Sequence, residues 1–198
     1  FGPLLLVWGL AMLMLIFIRD LGSSLMFFGG FLGLLWVATS RLSLIGVGST
    51  MFFGGAFYLS QTVPHVKERV DVWLDPFARG VVNDEGYQLA QSLFAQADGG
   101  LFGQGFGQAL LDLPGGGTIL PAAHTDLIYA VLTNEAGLFG AAGLIGVYLL
   151  LVYRGLRTAL SAGDAFSKLL ATGLTAVLAI QVFVIVGGVT KVIPLTGI

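Results

Sequence analysis

Long apolar runs separated by short polar connections dominate this 198-residue chain. A helix needs roughly 20 mainly apolar residues to cross a bilayer. About five runs of that kind are present, and they predict spanning helices at about 1–18, 21–40, 42–60, 127–153 and 169–190. Any one of them would also suit a buried core helix, but together they leave few residues for a polar exterior. The pattern therefore predicts an all-α, polytopic helical membrane protein.

Composition supports the same fold class and excludes several functions. Hydrophobic residues make up 56% of the chain and charged residues only 10%, against about 25% charged in soluble domains. The net charge of −2 gives no electrostatic support to a nucleic-acid partner. Cysteine is absent, which excludes disulfides, thiolate metal sites and cysteine nucleophiles. The start at Phe1 and the end just after an apolar run suggest that residues 1–198 are part of a single integral-membrane domain of a longer protein.

Residues 61–125 form a large polar segment that holds half of the charged residues. Residues 86–97 within it have helical spacing, with an apolar face that includes Tyr87, Ala90 and Phe94, which predicts a short amphipathic helix. Basic residues dominate two short connections elsewhere, at Arg41 and at 154–168. The positive-inside rule places those connections in the cytoplasm, so the large segment is predicted to be extracytoplasmic.

Asp126 is the strongest candidate for chemistry, because it lies where the polar loop enters a predicted spanning helix. One interpretation is a helix N-cap, since aspartate accepts hydrogen bonds from free N–H groups at a helix start. The other is a general base at the mouth of an outward-facing cavity. One carboxylate can do both. His124, two residues earlier, is a weaker candidate, and no nucleophile is spaced to complete a catalytic triad.

Glu135 interrupts the fourth apolar run, nine residues beyond Asp126. On a regular helix it would lie about 13 Å farther along the axis and roughly opposite Asp126. An ionisable side chain at that depth is costly and is usually paired or functional. A structural or gating role, through a partner on another helix, is therefore expected. Glycine-rich stretches at 99–107 and 115–117 lack the context of a phosphate-binding loop and are expected to form tight turns.

The sequence resembles the FtsW/RodA/SpoVE family of bacterial wall synthesis over nearly its whole length. The order and placement of short elements carry the resemblance: Asp20-Leu21-Gly22-Ser23, Arg69-Val70 with Trp73-Leu74-Asp75-Pro76, Gly86-Tyr87-Gln88, the glycine-rich residues 99–105, His124-Thr125-Asp126, Glu135-Ala136-Gly137 and Pro194-Leu195-Thr196-Gly197. Two elements depart from the family pattern: its Gln-Pro-Asp-Leu-Gly is Ile18-Arg19-Asp20-Leu21-Gly22 here, and its paired Glu-Glu is Asn134-Glu135.

The resemblance implies the fifth to ninth helices of a ten-helix peptidoglycan glycosyltransferase, a multi-pass protein of the bacterial cytoplasmic membrane. Such an enzyme polymerises lipid II into undecaprenyl-linked glycan, with a class B penicillin-binding transpeptidase as partner. Asp126 then matches the essential aspartate and is the expected general base. Arg69, Gln88, His124 and Thr125 are expected to bind substrate, and Asp20 joins Glu135 as a structural or gating residue. Lipid pyrophosphate as leaving group requires positive charge; a divalent cation would suit that work, but no ligand cluster identifies a metal site.

Two other functions remain open from the sequence. A lipid II flippase or transporter would use Glu135 as a coupling or gating group, although no inverted repeat is visible. A non-catalytic membrane scaffold that recruits a transpeptidase would not need Asp126. The two classes differ from the enzyme in one feature that can be tested, which is the dependence of polymer formation on that carboxylate.

Overall fold

The structure is a computed structural model that describes residues 6, 9, 13, 21–84, 86–109 and 119–195. Within these ranges the fold is all-helical, as predicted. The predicted helix at 1–18 and the turn with Asp20 lie outside the described residues, apart from three isolated positions that are helical. The prediction of a single integral-membrane domain over 1–198 stays a prediction.

The helices of the described part are numbered here in chain order. They are α1 (Leu21–Thr39), α2 (Leu42–Thr62), α3 (Pro64–Leu74), α4 (Tyr87–Gly99), α5 (Ile128–Ser161) and α6 (Ala165–Val189). Three of them, α2, α5 and α6, are long and apolar enough to cross a membrane, and α1 carries a shorter apolar stretch, Ser23–Thr39. These helices lie where the apolar runs predicted them, with α5 extending eight residues past the predicted end at 153.

The chain divides into two compact units, and the first contains residues 1–56, 149–183 and 196–198. In its described part, small residues let helices approach closely, as is common where helices associate in membranes. A Cβ on Gly29 of α1 would lie 2.7 Å from the Ile180 side chain of α6, and one on Gly48 of α2 would lie 2.6 Å from Leu32. The rings of Phe28 and Phe52 stack at 4.4 Å between α1 and α2.

The second unit contains residues 57–148 and 184–195, and it holds the candidate chemistry. Its core joins the segment before α5, the first half of α5 and the end of α6. The buried members are Leu120, Ala123, Leu127, Tyr129, Ala130, Ala141 and Val189. Leu127 is completely buried in this core, and its packing fixes the position of the residue directly before α5.

The polar segment at 61–125 contains one helix that the sequence analysis missed. Helix α3 begins at Pro64, and proline at the first helical position was the available start signal. Its carboxyl end is tied to the turn after α6 (residues 190–195, the α6 turn). The Trp73 indole N–H donates to the Lys191 carbonyl at 3.1 Å, and the Lys191 ammonium donates to the Leu74 carbonyl at 3.2 Å.

The predicted amphipathic helix at 86–97 is confirmed as α4, and Leu89 and Ala90 of the predicted apolar face are buried. Two positions differ from the prediction: Ser92, which was placed on the polar face, is buried, and Phe94, which was placed on the apolar face, is half exposed. The reason is polar: the Ser92 hydroxyl and the Gln96 amide both donate to the carbonyl of Val189, at 3.4 and 3.0 Å. Satisfying the last carbonyls of α6 turns this face of α4 inward.

Candidate functional site

Asp126 lies in a compact loop that leads into α5 (residues 119–127, the Asp126 loop). The carbonyl of Ala122 organises this loop, because it accepts hydrogen bonds from the N–H groups of Thr125 and Leu127, both at 3.1 Å. Ala122 itself has a φ of 53°, a conformation that non-glycine residues adopt at a cost of roughly 1–3 kcal/mol. The loop is therefore held in a strained shape directly before the spanning helix.

The Asp126 carboxylate is half-buried and is not the N-cap of α5. The helix begins at Ile128, so Asp126 lies one residue before the capping position, and the Ile128 N–H donates to the Thr125 carbonyl instead. Within the described part of the chain, the Asp126 side chain makes no hydrogen bond or ion pair. The carboxylate thus lies at the start of the helix but does not cap it, which leaves its oxygens available to accept a proton.

The other predicted substrate-binding residues lie in two places. His124 and Thr125 are exposed beside Asp126 on the same loop, and the Thr125 hydroxyl donates to the Ala122 carbonyl at 3.3 Å. Gln88 is exposed on the first turn of α4. The structure brings His124, Thr125 and Asp126 together by sequence adjacency alone, and no hydrogen bond between described side chains joins Gln88 to them.

Arg69 lies half-buried on α3 and has a structural contact. One guanidinium nitrogen donates to the Leu195 carbonyl of the α6 turn at 3.1 Å. With the Trp73 and Lys191 bonds, this contact fixes α3 against the end of α6. A role in substrate binding therefore has to be compatible with a guanidinium that also holds this turn.

A break in α5, which was not predicted from the sequence, lies nine residues after the helix begins at Ile128. Gly137 has φ 69° and ψ −175°, so the helix stops and restarts there. The glycine-rich residues 99–105 (the glycine clamp) supply the missing hydrogen bonds. The N–H groups of Gln104 and Gly105 donate to the carbonyls of Asn134 and Glu135, and the N–H groups of Leu138 and Phe139 donate to carbonyls of the clamp, all at 2.9–3.2 Å.

Close backbone approach explains two of the glycines in the clamp, Gly99 and Gly103. A Cβ on Gly103 would overlap the carbonyl of Glu135, and one on Gly99 would overlap the carbonyl of Thr133. This confirms the expectation that the glycine-rich stretch at 99–107 forms tight turns that permit close packing. Non-helical backbone at membrane depth requires such satisfaction, because lipid offers no hydrogen bonds.

Glu135 lies two residues before the break and is half-buried. The two positions Asp126 and Glu135 are not on one regular helix of the predicted kind, since α5 begins after Asp126. In the described ranges, the Glu135 carboxylate has no hydrogen-bonding or ionic partner, so its structural or gating role stays a prediction. The same ranges contain no group of three or more histidine, aspartate or glutamate residues placed to hold a metal ion.

Comparison with known proteins agrees with this architecture. The FtsW/RodA/SpoVE family, described as cell cycle proteins, matches residues 1–198. The chain is 44% identical over 197 residues to the peptidoglycan glycosyltransferase RodA of Mycobacterium leprae, covering 100% of the chain and 41% of that protein. It is 34% identical over 199 residues to a probable peptidoglycan glycosyltransferase FtsW of Geobacter sp. strain M18, covering 100% of the chain and 52% of that protein.

A third relative is a sporulation protein by name. The chain is 33% identical over 183 residues to the stage V sporulation protein E of Bacillus subtilis, covering 90% of the chain and 47% of that protein. The chain thus spans about half the length of the curated relatives it matches, or somewhat less. With a family match over every residue and three long apolar helices, it is part of a multi-pass membrane protein, and it belongs to the FtsW/RodA/SpoVE family.

Proposed function

We propose that this chain carries the catalytic carboxylate of a peptidoglycan glycosyltransferase that polymerises lipid II at the outer face of the bacterial cytoplasmic membrane. The observation that carries the proposal is Asp126, a half-buried carboxylate at the entrance of a spanning helix with no hydrogen-bonding partner among the described residues. The names of the RodA and FtsW relatives support the same activity.

In the proposed reaction, the Asp126 carboxylate accepts the proton of the acceptor sugar hydroxyl while that oxygen attacks the anomeric carbon of the donor. The bond from the anomeric carbon to the pyrophosphate oxygen breaks, and the lipid pyrophosphate leaves with the bonding electrons. One direct displacement inverts the configuration at that carbon. Positive charge stabilises the leaving group, and Arg69 is the proposed cation, held in place by its bond to the α6 turn.

The exposed side chains around the helix entrance have supporting roles in this proposal. His124 and Thr125, next to the base, are proposed to contact the reacting sugar or the pyrophosphate, and Gln88 to bind a more distant part of the substrate. The proposed protein partner is a class B penicillin-binding transpeptidase, which would cross-link the strands as they form. Basic residues at 154–168 support an orientation with the Asp126 loop outside.

The test is glycan formation from lipid II by the purified full-length protein with its transpeptidase partner. Wild type is compared with Asp126→Asn, which keeps the shape of the side chain and removes its basicity. Asp84→Asn is the matched control, because Asp84 is an exposed carboxylate of the same polar segment. Polymer from wild type and the control, with a loss of at least about a hundredfold in Asp126→Asn, is expected from removing a general base. Equal polymer from all three proteins would refute the role of Asp126.

The break in α5 is a specific observation in favour of the flippase alternative, because discontinuous helices line the substrate sites of many transporters. In those proteins the unwound backbone coordinates the cargo. Here the freed backbone groups around Gly137 bind the glycine clamp instead. The polymerisation assay in detergent separates the two functions, because a flippase forms no polymer. In detergent there is also no bilayer across which a flippase could move lipid.

A further inference from the structure

A cavity of about 430 Å³ lies between α4 and the first half of α5, and Asp126 is not part of its lining. Its volume is within the range of small-molecule binding sites, roughly 300–1,000 Å³. Its lining mixes apolar and polar side chains, which alternate along the facing surfaces of the two helices. The apolar lining residues are Phe94, Ala95, Ala109, Ile119, Leu120 and Val131, and the polar ones are Gln91, Asp98 and Asn134.

Asn134 contributes a buried hydrogen-bond acceptor, its side-chain oxygen, to the lining of the cavity. Its side-chain nitrogen donates to the Ala95 carbonyl at 2.9 Å and to the Asp98 carboxylate at 3.2 Å, and the residue is only 5% exposed. No donor among the described residues reaches its side-chain oxygen. A buried acceptor without a partner is unfavourable, so a ligand N–H or O–H in the cavity would be bound favourably.

Asp98 and Gln91 restrict the chemistry of that ligand further. The Asp98 carboxylate is held by the Asn134 amide and accepts hydrogen bonds only, which favours hydroxyl groups and disfavours phosphate. Gln91 is half-buried, and within the described part its amide has no hydrogen bond, so it offers both donors and an acceptor. The half-exposed ring of Phe94 lies between Gln91 and Asp98 on the same face of α4 and provides a flat apolar surface in the lining.

We infer that this cavity is a subsite for an uncharged N-acetylated sugar unit of the glycan. Ile119 and Leu120 of the Asp126 loop contribute to its lining, whereas Asp126 itself does not. The identity of the sugar rests on the proposed function, whereas the preference for a neutral ligand rich in hydroxyl groups rests on the cavity itself. The acetamido N–H is bound by the Asn134 oxygen, ring hydroxyls by Asp98 and Gln91, and the apolar ring face by Phe94.

The experiment measures binding of tri-N-acetylchitotriose, a soluble oligosaccharide, to the full-length protein in lipid nanodiscs by saturation-transfer NMR titration. Asp98→Asn removes the charged acceptor. Gln91→Ala removes a side-chain amide that forms no hydrogen bond to any described residue. Each is expected to weaken binding about tenfold, the effect of losing about 1.4 kcal/mol from a ligand hydrogen bond. Asp84→Asn is the control with the same charge change outside the cavity, and it is expected to bind as wild type does.

Unchanged binding in both cavity variants, or no binding by folded wild type, overturns the subsite. If Asp98→Asn unfolds, Gln91→Ala decides the test by itself. Polymerisation from lipid II is measured separately on the same proteins. If polymer formation depends on Asp126 but no oligosaccharide binds in the cavity, the proposed glycosyltransferase stands and the subsite is refuted. If oligosaccharide binds in the cavity but no polymer forms, the sugar site stands and the proposed glycosyltransferase is refuted.

Discussion

Replacing Gly137 with alanine tests whether the break in α5 is an intrinsic part of the fold. The backbone of Gly137, at φ 69° and ψ −175°, lies in a region that glycine alone occupies readily. An added Cβ would also overlap the backbone nitrogen of Gly103 and lie 2.6 Å from the carbonyl carbon of Leu101. Both atoms belong to the glycine clamp, which has little room to move while its hydrogen bonds to α5 are kept.

The size of the effect follows from two terms. Holding alanine in this conformation costs about 1–3 kcal/mol. Relieving the overlap moves the clamp away from α5, and losing two of its backbone hydrogen bonds there adds about 1–3 kcal/mol at the usual net value for each. Gly137→Ala is therefore expected to lower the free energy of unfolding by about 2–6 kcal/mol.

Denaturant or thermal unfolding of the purified full-length protein in detergent measures this change, with Gly143→Ala as the matched control. Gly143 lies six residues farther along α5, and a Cβ there would meet nothing within 4 Å. Alanine is favoured over glycine in a helix by about 1 kcal/mol, so the control is expected to be as stable as wild type or slightly more stable. Equal stability of Gly137→Ala and Gly143→Ala would refute the clamp.

Two further predictions concern Glu135 of α5 and Asp164, the residue directly before α6. The structural role predicted for Glu135 requires a partner that the described residues do not provide, so Glu135→Ala in the full-length protein is expected to lower the melting temperature by leaving that partner uncompensated. Unchanged stability with lost polymer formation would instead assign Glu135 to the reaction. Hydrogen bonds from Ser167 lower the pKa of Asp164, whose carboxylate caps α6 by accepting the Ser167 N–H at 2.9 Å. A lowered pKa stabilises the fold above the unfolded value near 4, and this effect is lost as the pH falls through the folded value. Asp164→Ala should therefore melt below wild type at pH 7 and approach it in acid. Asp164→Asn keeps a cap but does not titrate either, so its melting temperature should lie closer to that of wild type at pH 7, and its difference from wild type should change with pH by the same amount as for Asp164→Ala.

The positions of the long helices were predictable because a bilayer requires long apolar runs and the chain has few charges to interrupt them. The described helices α1, α2, α5 and α6 all lie on such runs. Helix α3 was missed for the opposite reason. Its sequence from Pro64 carries several charges and so resembles a loop, although proline at the first helical position marked its start.

The break at Gly137 could not be predicted from the run that contains it. The chain has 30 glycines, and several of them lie within the described spans without interrupting a helix. What distinguishes Gly137 is the glycine clamp, which lies more than thirty residues earlier in the chain and supplies the hydrogen bonds that the break requires. A contact between distant segments determines this backbone conformation, and the hydropathy of the residues around Gly137 does not predict that contact.

The same contacts hold the loop that contains the proposed base. The first part of α5, from Ile128 to the break, is held at both ends: the Ala122 carbonyl fixes the loop before it, and the glycine clamp binds the backbone from Asn134 onward. Complete burial of Leu127 against the end of α6 fixes its position between them. Asp126 therefore lies directly before a short helical segment that cannot shift or rotate without breaking backbone hydrogen bonds at one end or the other. A general base requires such positioning by a rigid support. The proposed base lies in a short sequence motif that can be recognised locally, whereas the residues that hold it in place come from the clamp, α4 and α6.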